Sequence, residues 1–317
     1  MTKQKCDSNS KSNFVSKKTK KFVFSAIVLA LPVIQFLIFY VYVNFNSIIM
    51  SFQKYEINKD ALGYSIQFNG FENFQVAWKK FTECFWMIKN SVMLYALNLL
   101  VGITLALLFS YYIYKKHTGS QFFNVILFMP QIISSVVLVL LFKYVVTNAY
   151  PQIMKDWFGK EVVGLLANPD TKLATVLVYN IWVSFGVNVL LFSGAMSGIN
   201  IGIVESAKID GVSFFREFIS ITLPQIWPTF TTFVVVGFSG IFTNQMHLFT
   251  LFGSEGNELS TLGYYMYINV LNSSLTRVSD YYLNYGQLAA FGLICTCFVL
   301  PLTFLLKRVM EKIGPEI

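Results

Sequence analysis

Six apolar runs limit what this chain can fold into. They lie near residues 22–44, 89–111, 122–146, 172–195, 229–251 and 286–306. Each is long enough for a helix to cross a hydrocarbon core, which takes about 20 residues. In lipid the backbone must satisfy its own polar groups, so runs of this length form helices. Only 13% of the 317 residues are charged, whereas a soluble domain carries about a quarter. The expected class is an all-α integral membrane protein with six transmembrane helices. The first run, FVFSAIVLALPVIQFLIFYVYV, exceeds a signal-peptide core of about 7–15 residues and has no clear small-residue cleavage site after it, so it reads as a retained helix.

Lysine and arginine placement sets the orientation. The tail 1–21, the segment 112–121, the passage 196–228 and the C-terminal end 307–317 together hold fourteen basic residues against six acids. The opposite side has ten of each. The more basic side belongs in the cytoplasm, which puts both termini there. Serine and asparagine dilute the basic tail and no aromatic platform accompanies it, so it fits anionic lipid head groups rather than nucleic acid. Cys6 and Cys84 fall on opposite sides of the membrane, while Cys295 and Cys297 lie on different faces of the last run; all four read as inert thiols.

The chain divides into a basic tail (1–21), a first helix with an outer segment expected to hold a short interfacial helix (22–88), a five-helix stretch (89–306) and a C-terminal tail (307–317). Pro130 should kink the third run. A polar outer segment, 252–285, separates the fifth run from the sixth. There is no internal repeat of the kind many secondary transporters carry.

Within the loop 196–228 stands one compact charged passage, ESAKIDGVSFFREFISITLP (205–224). Its pattern predicts two short helices. The first ends at Gly211, which takes the left-handed conformation without steric cost, and has Glu205 and Lys208 three apart on one face. Ser213 can cap the second through its hydroxyl. Phe214, Phe218 and Ile221 repeat as one apolar stripe, and Pro224 stops the helix. Two readings fit this hairpin, greasy beneath and charged on top: an amphipathic cap on the bundle, or a docking knob for a soluble partner.

The passage resembles the EAA motif of permease subunits in binding-protein-dependent ABC importers, namely E-A-A, three residues, G, nine residues, I-x-L-P. Glu205, Ser206, Ala207, Gly211, Ile221, Leu223 and Pro224 stand at its spacing, and Asp210 and Phe218 are habitual in the sugar-transporting branch. Ser206 replaces the first alanine, a small-for-small change. NGFENF (69–74), the second run and the proline-bearing third run extend the likeness over nearly the whole chain after the tail; SEGN (254–257) departs from the family's Gly-Gly-Pro. The chain looks most like the shorter MalF-like carbohydrate permeases. The resemblance implies a MetI-like ABC importer permease fold with a cytoplasmic coupling-helix hairpin, in a bacterial or archaeal cell membrane. It implies a transport core in 89–306, and an EAA hairpin (Glu205, Ser206, Ala207, Asp210, Gly211, Ile221, Leu223, Pro224) seated in an ATPase. The implied partners are a second permease, a cytoplasmic ABC ATPase dimer, an extracytoplasmic solute-binding protein, a carbohydrate and membrane lipid.

No G-x-x-x-x-G-K-[ST] occurs, so the chain is expected to be non-catalytic and to bind no cofactor, with ATP and Mg on the partner ATPase. The six runs contain no Asp or Glu, which argues against ion-coupled transport. A neutral sugar needs amides, hydroxyls and aromatics along its path. Asn180, Ser184 and Asn188 form one polar stripe on the fourth run, and Asn244 and Gln245 lie in the fifth. In MalF-like permeases an asparagine 25 residues before the motif glutamate contacts sugar, and Asn180 has that spacing; Gln245 falls near a second contact when aligned from the loop that follows. These amides could equally join helices to one another. Trp182 and the lone His247 read as packing residues. Another solute, such as glycerol phosphate, remains open as cargo, as does an autonomous channel.

Overall fold

A computed structural model describes residues 17–58, 63–254, 258–273 and 283–315. Cys6, most of the basic tail and residues 255–257 of SEGN lie outside the described residues. Among the described residues, five helices are long and apolar enough to cross a membrane: α1 (Lys21–Met50), α3 (Phe85–Tyr114), α5 (Ser135–Phe158), α6 (Pro169–Ser197) and α12 (Tyr285–Ile313). Between them lie β1 (Gln53–Asn58), β2 (Gly63–Phe68), α2 (Glu72–Glu83), α4 (Ser120–Phe128), α7 (Ile201–Ile209), α8 (Phe214–Gln225), α9 (Trp227–Ser239), α10 (Leu248–Phe252) and α11 (Leu262–Asn272).

The ends of these helices follow local chemistry. Asn168 caps α6, its side chain accepting from the Asp170 amide with Pro169 in the first turn. Asn284 and Gln287 form a reciprocal capping box at the start of α12. Pro130 does more than kink the third run. It ends α4 in a single 3-10 turn, and the chain restarts at Ser135. The third run is thus two helices, and its second part extends well past residue 146, to Phe158.

The fifth run also departs from an unbroken helix. α9 has 13 residues, about 20 Å at 1.5 Å per residue, too short for a core of about 30 Å. Its axis is bent 70° from α8, and an irregular stretch follows it before α10. The helix ends at Gly240, and Asn244 keeps it from resuming, because its side chain accepts from the Met246 amide at 2.8 Å and so competes with the helical ladder. Met246 and His247 then sit left-handed, at φ 52° and 56°. The segment expected as a polar outer loop holds α11, whose Leu262, Tyr264 and Ile268 are buried. The outer segment 45–88 contains its expected helix, α2, and also an antiparallel hairpin of β1 and β2 with Tyr55 opposite Ile66.

Packing sorts the connections by end. Asn73 Nδ2 donates to the carbonyls of Ser51 and Gln53, both at 2.9 Å, and Asn90 Nδ2 donates to Glu258 and Ser260. At the opposite end, Trp227 Nε1 donates to the Met310 carbonyl at 3.0 Å, and Lys115 pairs with Glu217. The turn after α3, the hairpin passage and the end of α12 therefore meet at one end of the bundle. Helix α1 meets the bundle mainly by its last part, Val43–Met50, which packs against α12; every residue from Lys21 to Ile49 is exposed in the single chain.

Candidate functional site

Two places gather the residues singled out by sequence: the hairpin α7–α8 at the basic end, and a polar cavity inside the bundle.

Asn200 opens α7, its side chain accepting from the Gly202 amide at 2.9 Å. Gly211 closes it at φ 69°. The Gly211 amide donates to Lys208 and the Val212 amide to Ala207, the paired bonds of a Schellman ending. Ser213 occupies the cap position of α8, but its hydroxyl makes no capping bond; its carbonyl instead accepts from the Glu217 amide at 2.8 Å. Helix α8 passes through a π turn at Phe218–Thr222 and ends one residue after Pro224.

The faces of the hairpin differ from the expected division. Ala207, Glu217, Phe218 and Thr222 are buried, whereas Ile221 is only half-buried and Phe214 is exposed. Glu205, Ser206, Lys208, Asp210 and Gly211 are exposed. The exposed surface is also apolar, with Ile209 85%, Phe215 68% and Ile219 61% exposed. No ion pair joins Glu205 to Lys208 among the described residues. The Ser206 hydroxyl donates to the Gly202 carbonyl at 2.8 Å, so this substitution for alanine adds no unsatisfied polar group.

One charged pair escaped sequence reasoning. Glu217 is buried beneath the hairpin and pairs with Lys115 at the end of α3. The Lys115 ammonium also lies 5.4 Å from the Tyr111 ring and 5.7 Å from Tyr114. The partners are 102 residues apart, so no local spacing could signal the contact.

The cavity measures about 340 Å³ and is walled by α3, α6, α9 and the break after α9. That volume lies at the lower end of small-molecule pockets, which run to about 1,000 Å³. Asn180, Ser184, Asn188 and Asn244 all line it, together with Tyr95, Asn98 and His247. Asn180 is 11 positions into the 29-residue α6, about 16 Å from its start. None of the residues lining the cavity is Asp, Glu, Lys or Arg. Asn98 was missed, although an amide deep inside the apolar second run is the same kind of signal as Asn180.

Structural duties occupy part of this set. Asn180 Nδ2 donates to Val176 at 2.8 Å and to the carbonyl of left-handed Met246 at 3.0 Å; this amide holds the break in place. Ser184 donates back to the Asn180 carbonyl at 2.8 Å. Gln245 is not brought to the cavity, and its side-chain oxygen is buried without a hydrogen-bond partner among the described residues. The His247 ring meets Tyr179 edge-on at 5.3 Å, and Trp182 packs near Phe142 and Tyr179. Tyr95 donates to Val234 at 2.7 Å, an approach allowed by Gly237, where a Cβ would stand 3.0 Å from the Tyr95 ring.

Residues 98–317 match the model of a family described as "Binding-protein-dependent transport system inner membrane component". Among curated relatives, the maltose/maltodextrin transport system permease protein MalF of Vibrio vulnificus is 25% identical over 239 residues, covering 70% of this chain. The chain spans only 43% of that relative's length. The polygalacturonan/rhamnogalacturonan transport system permease protein YteP of Bacillus subtilis is 23% identical over 304 residues, covering 91% of this chain and 88% of its own. Among solved structures, a bacterial ABC transporter involved in the import of the acidic polysaccharide alginate aligns with a TM-score of 0.72 at 21% identity, covering 94% of this chain and 99% of the matched chain. At that identity the likeness speaks for the fold alone.

Proposed function

The chain belongs to the binding-protein-dependent transport system inner membrane component family, and from that premise we propose that it is the permease subunit of an ATP-driven carbohydrate importer. The observation that carries this reading is the hairpin α7–α8. It carries the EAA spacing, its first helix is closed at both ends by Asn200 and Gly211, and it projects from one end of a multi-pass helical bundle. Its exposed Ile209, Phe215 and Ile219 give an apolar surface that a cytoplasmic ATPase cleft would bury, with Glu205 and Asp210 as polar rim. Glu205, Ser206, Ala207, Asp210, Gly211, Ile221, Leu223 and Pro224 form the coupling element in this account. ATP and Mg then reside on that partner, and both termini face the cytoplasm.

The cavity is the proposed sugar path, completed by a second permease and fed by an extracytoplasmic binding protein. Amides and hydroxyls from Asn98, Asn180, Ser184, Asn188 and Asn244 suit hydroxyl-rich cargo. A phosphorylated solute would favour a cation, and none lines the wall. Alternating access would follow from ATPase closure displacing the hairpin.

The test is reconstitution with and without companions. Vesicles holding the chain with its permease partner, ATPase and binding protein should accumulate an oligosaccharide only when ATP is supplied. Vesicles holding the chain alone should not. Accumulation by the solitary chain would point to a channel or self-sufficient carrier and overturn the reading.

A further inference from the structure

The Lys115–Glu217 pair is costly to keep and easy to replace. Their side chains are only 14% and 7% exposed. Buried ion pairs seldom stabilise a fold more than packed apolar residues of similar size would. What such a pair can provide is fixed registry between two elements, because it does not slide as a greasy contact does.

The surroundings are built for that. Lys115 sits at the C-terminal end of α3 and Glu217 in the first turn of α8, where the helix dipoles favour a cation and an anion respectively. The Tyr111 ring packs against Phe214 at 4.6 Å and Phe218 at 4.9 Å, and its hydroxyl donates to the Phe214 carbonyl at 3.3 Å. The turn after α3 closes the collar: Lys116 is left-handed at φ 55°, Tyr112 donates to Thr118 at 2.6 Å, and the His117 ring lies 5.7 Å from Phe214.

Helix α3 then runs from this collar to the cavity. Asn98 is 17 positions from Lys115, about 26 Å along the helix, and it lines the cavity beside Tyr95. The π turn Asn98–Ile103 lies at the same level, the sort of local irregularity that often marks functional sites. We infer that Lys115 and Glu217 are positioning residues that lock the hairpin to α3, so that displacement of the hairpin is delivered through α3 to the cavity wall at Asn98 and Tyr95. This inference rests on the proposed function and adds the route by which force reaches the cargo.

The test uses the assembled transporter in vesicles, measuring solute imported per ATP hydrolysed and the amount of ATPase that copurifies. In the double variant Lys115→Met with Glu217→Leu, packing is kept and the charges are removed. It should copurify with ATPase normally yet import at least tenfold less solute per ATP. Normal import per ATP in that variant would overturn the inference while leaving the permease reading intact. Absence of ATP-driven uptake by the unaltered assembly would overturn both. Should the double variant fail to assemble, spin labels at Thr118→Cys and Lys208→Cys decide the matter: their separation should stay constant between nucleotide-free and ATP-bound states. A change of several ångströms would show that hairpin and α3 move independently, and would overturn the inference.

Discussion

At the scale of single residues, side chains of like capping propensity carry different weight depending on what they touch. Asn168 and Ser213 both occupy cap positions, but only Asn168 uses its side chain to cap. Asn168→Ala should cost about 1 kcal/mol, while Ser213→Ala should stay within about 0.5 kcal/mol; thermal unfolding of the purified protein in detergent checks the contrast. Asn180 presents a larger case. Its amide donates to the Met246 carbonyl, so Asn180→Ala leaves a buried acceptor alone, at a cost of about 1–3 kcal/mol. The same variant should lower uptake by the reconstituted transporter, because the break beside the cavity loses its fastening. Unchanged uptake and unchanged melting would remove Asn180 from both roles.

At the scale of elements, the hairpin shows how much can be read locally. Gly211 must turn left-handed to end α7, and its motif spacing announced that. A Cβ at Gly211 meets nothing within 4 Å, so a bulky substituent there is opposed by backbone conformation alone. Left-handed backbone costs an L-residue about 1–2 kcal/mol. Gly211→Val should therefore distort the turn, abolishing ATPase copurification while the protein still reaches the membrane; a normal yield of ATPase on the variant would count against a docking role. Most long helices were equally legible, since their signal is length and apolarity, but the third run split at Pro130 and its long part runs on to Phe158. The break after α9 was not, because averaging hydropathy over SGIFTNQMHLF (239–249) hides what one asparagine does to the ladder. The β1–β2 hairpin was missed although QKYEIN and GYSIQF alternate as strands do. The Lys115–Glu217 contact lay beyond any local pattern.

At the scale of the whole molecule, the bundle segregates its work: basic loops and the hairpin at one end, the β hairpin and α2 at the other, and an uncharged polar cavity between. The stretch from Gly240 to His247 lies in the path of the fifth crossing, and Thr243 and Asn244 are exposed in the single chain. Lipid cannot solvate non-helical backbone, which survives at membrane depth only beside protein or water. Amide hydrogens of residues 240–247 should thus exchange more slowly in the assembled transporter of the proposed function than in the isolated chain, as mass spectrometry of the two would reveal. Equal exchange would mean that the assembly does not cover this stretch. Under the proposed function, the polypeptide is one half of a mould: its seam is raw, and a matching half pressed against that seam would give the passage a closed circumference.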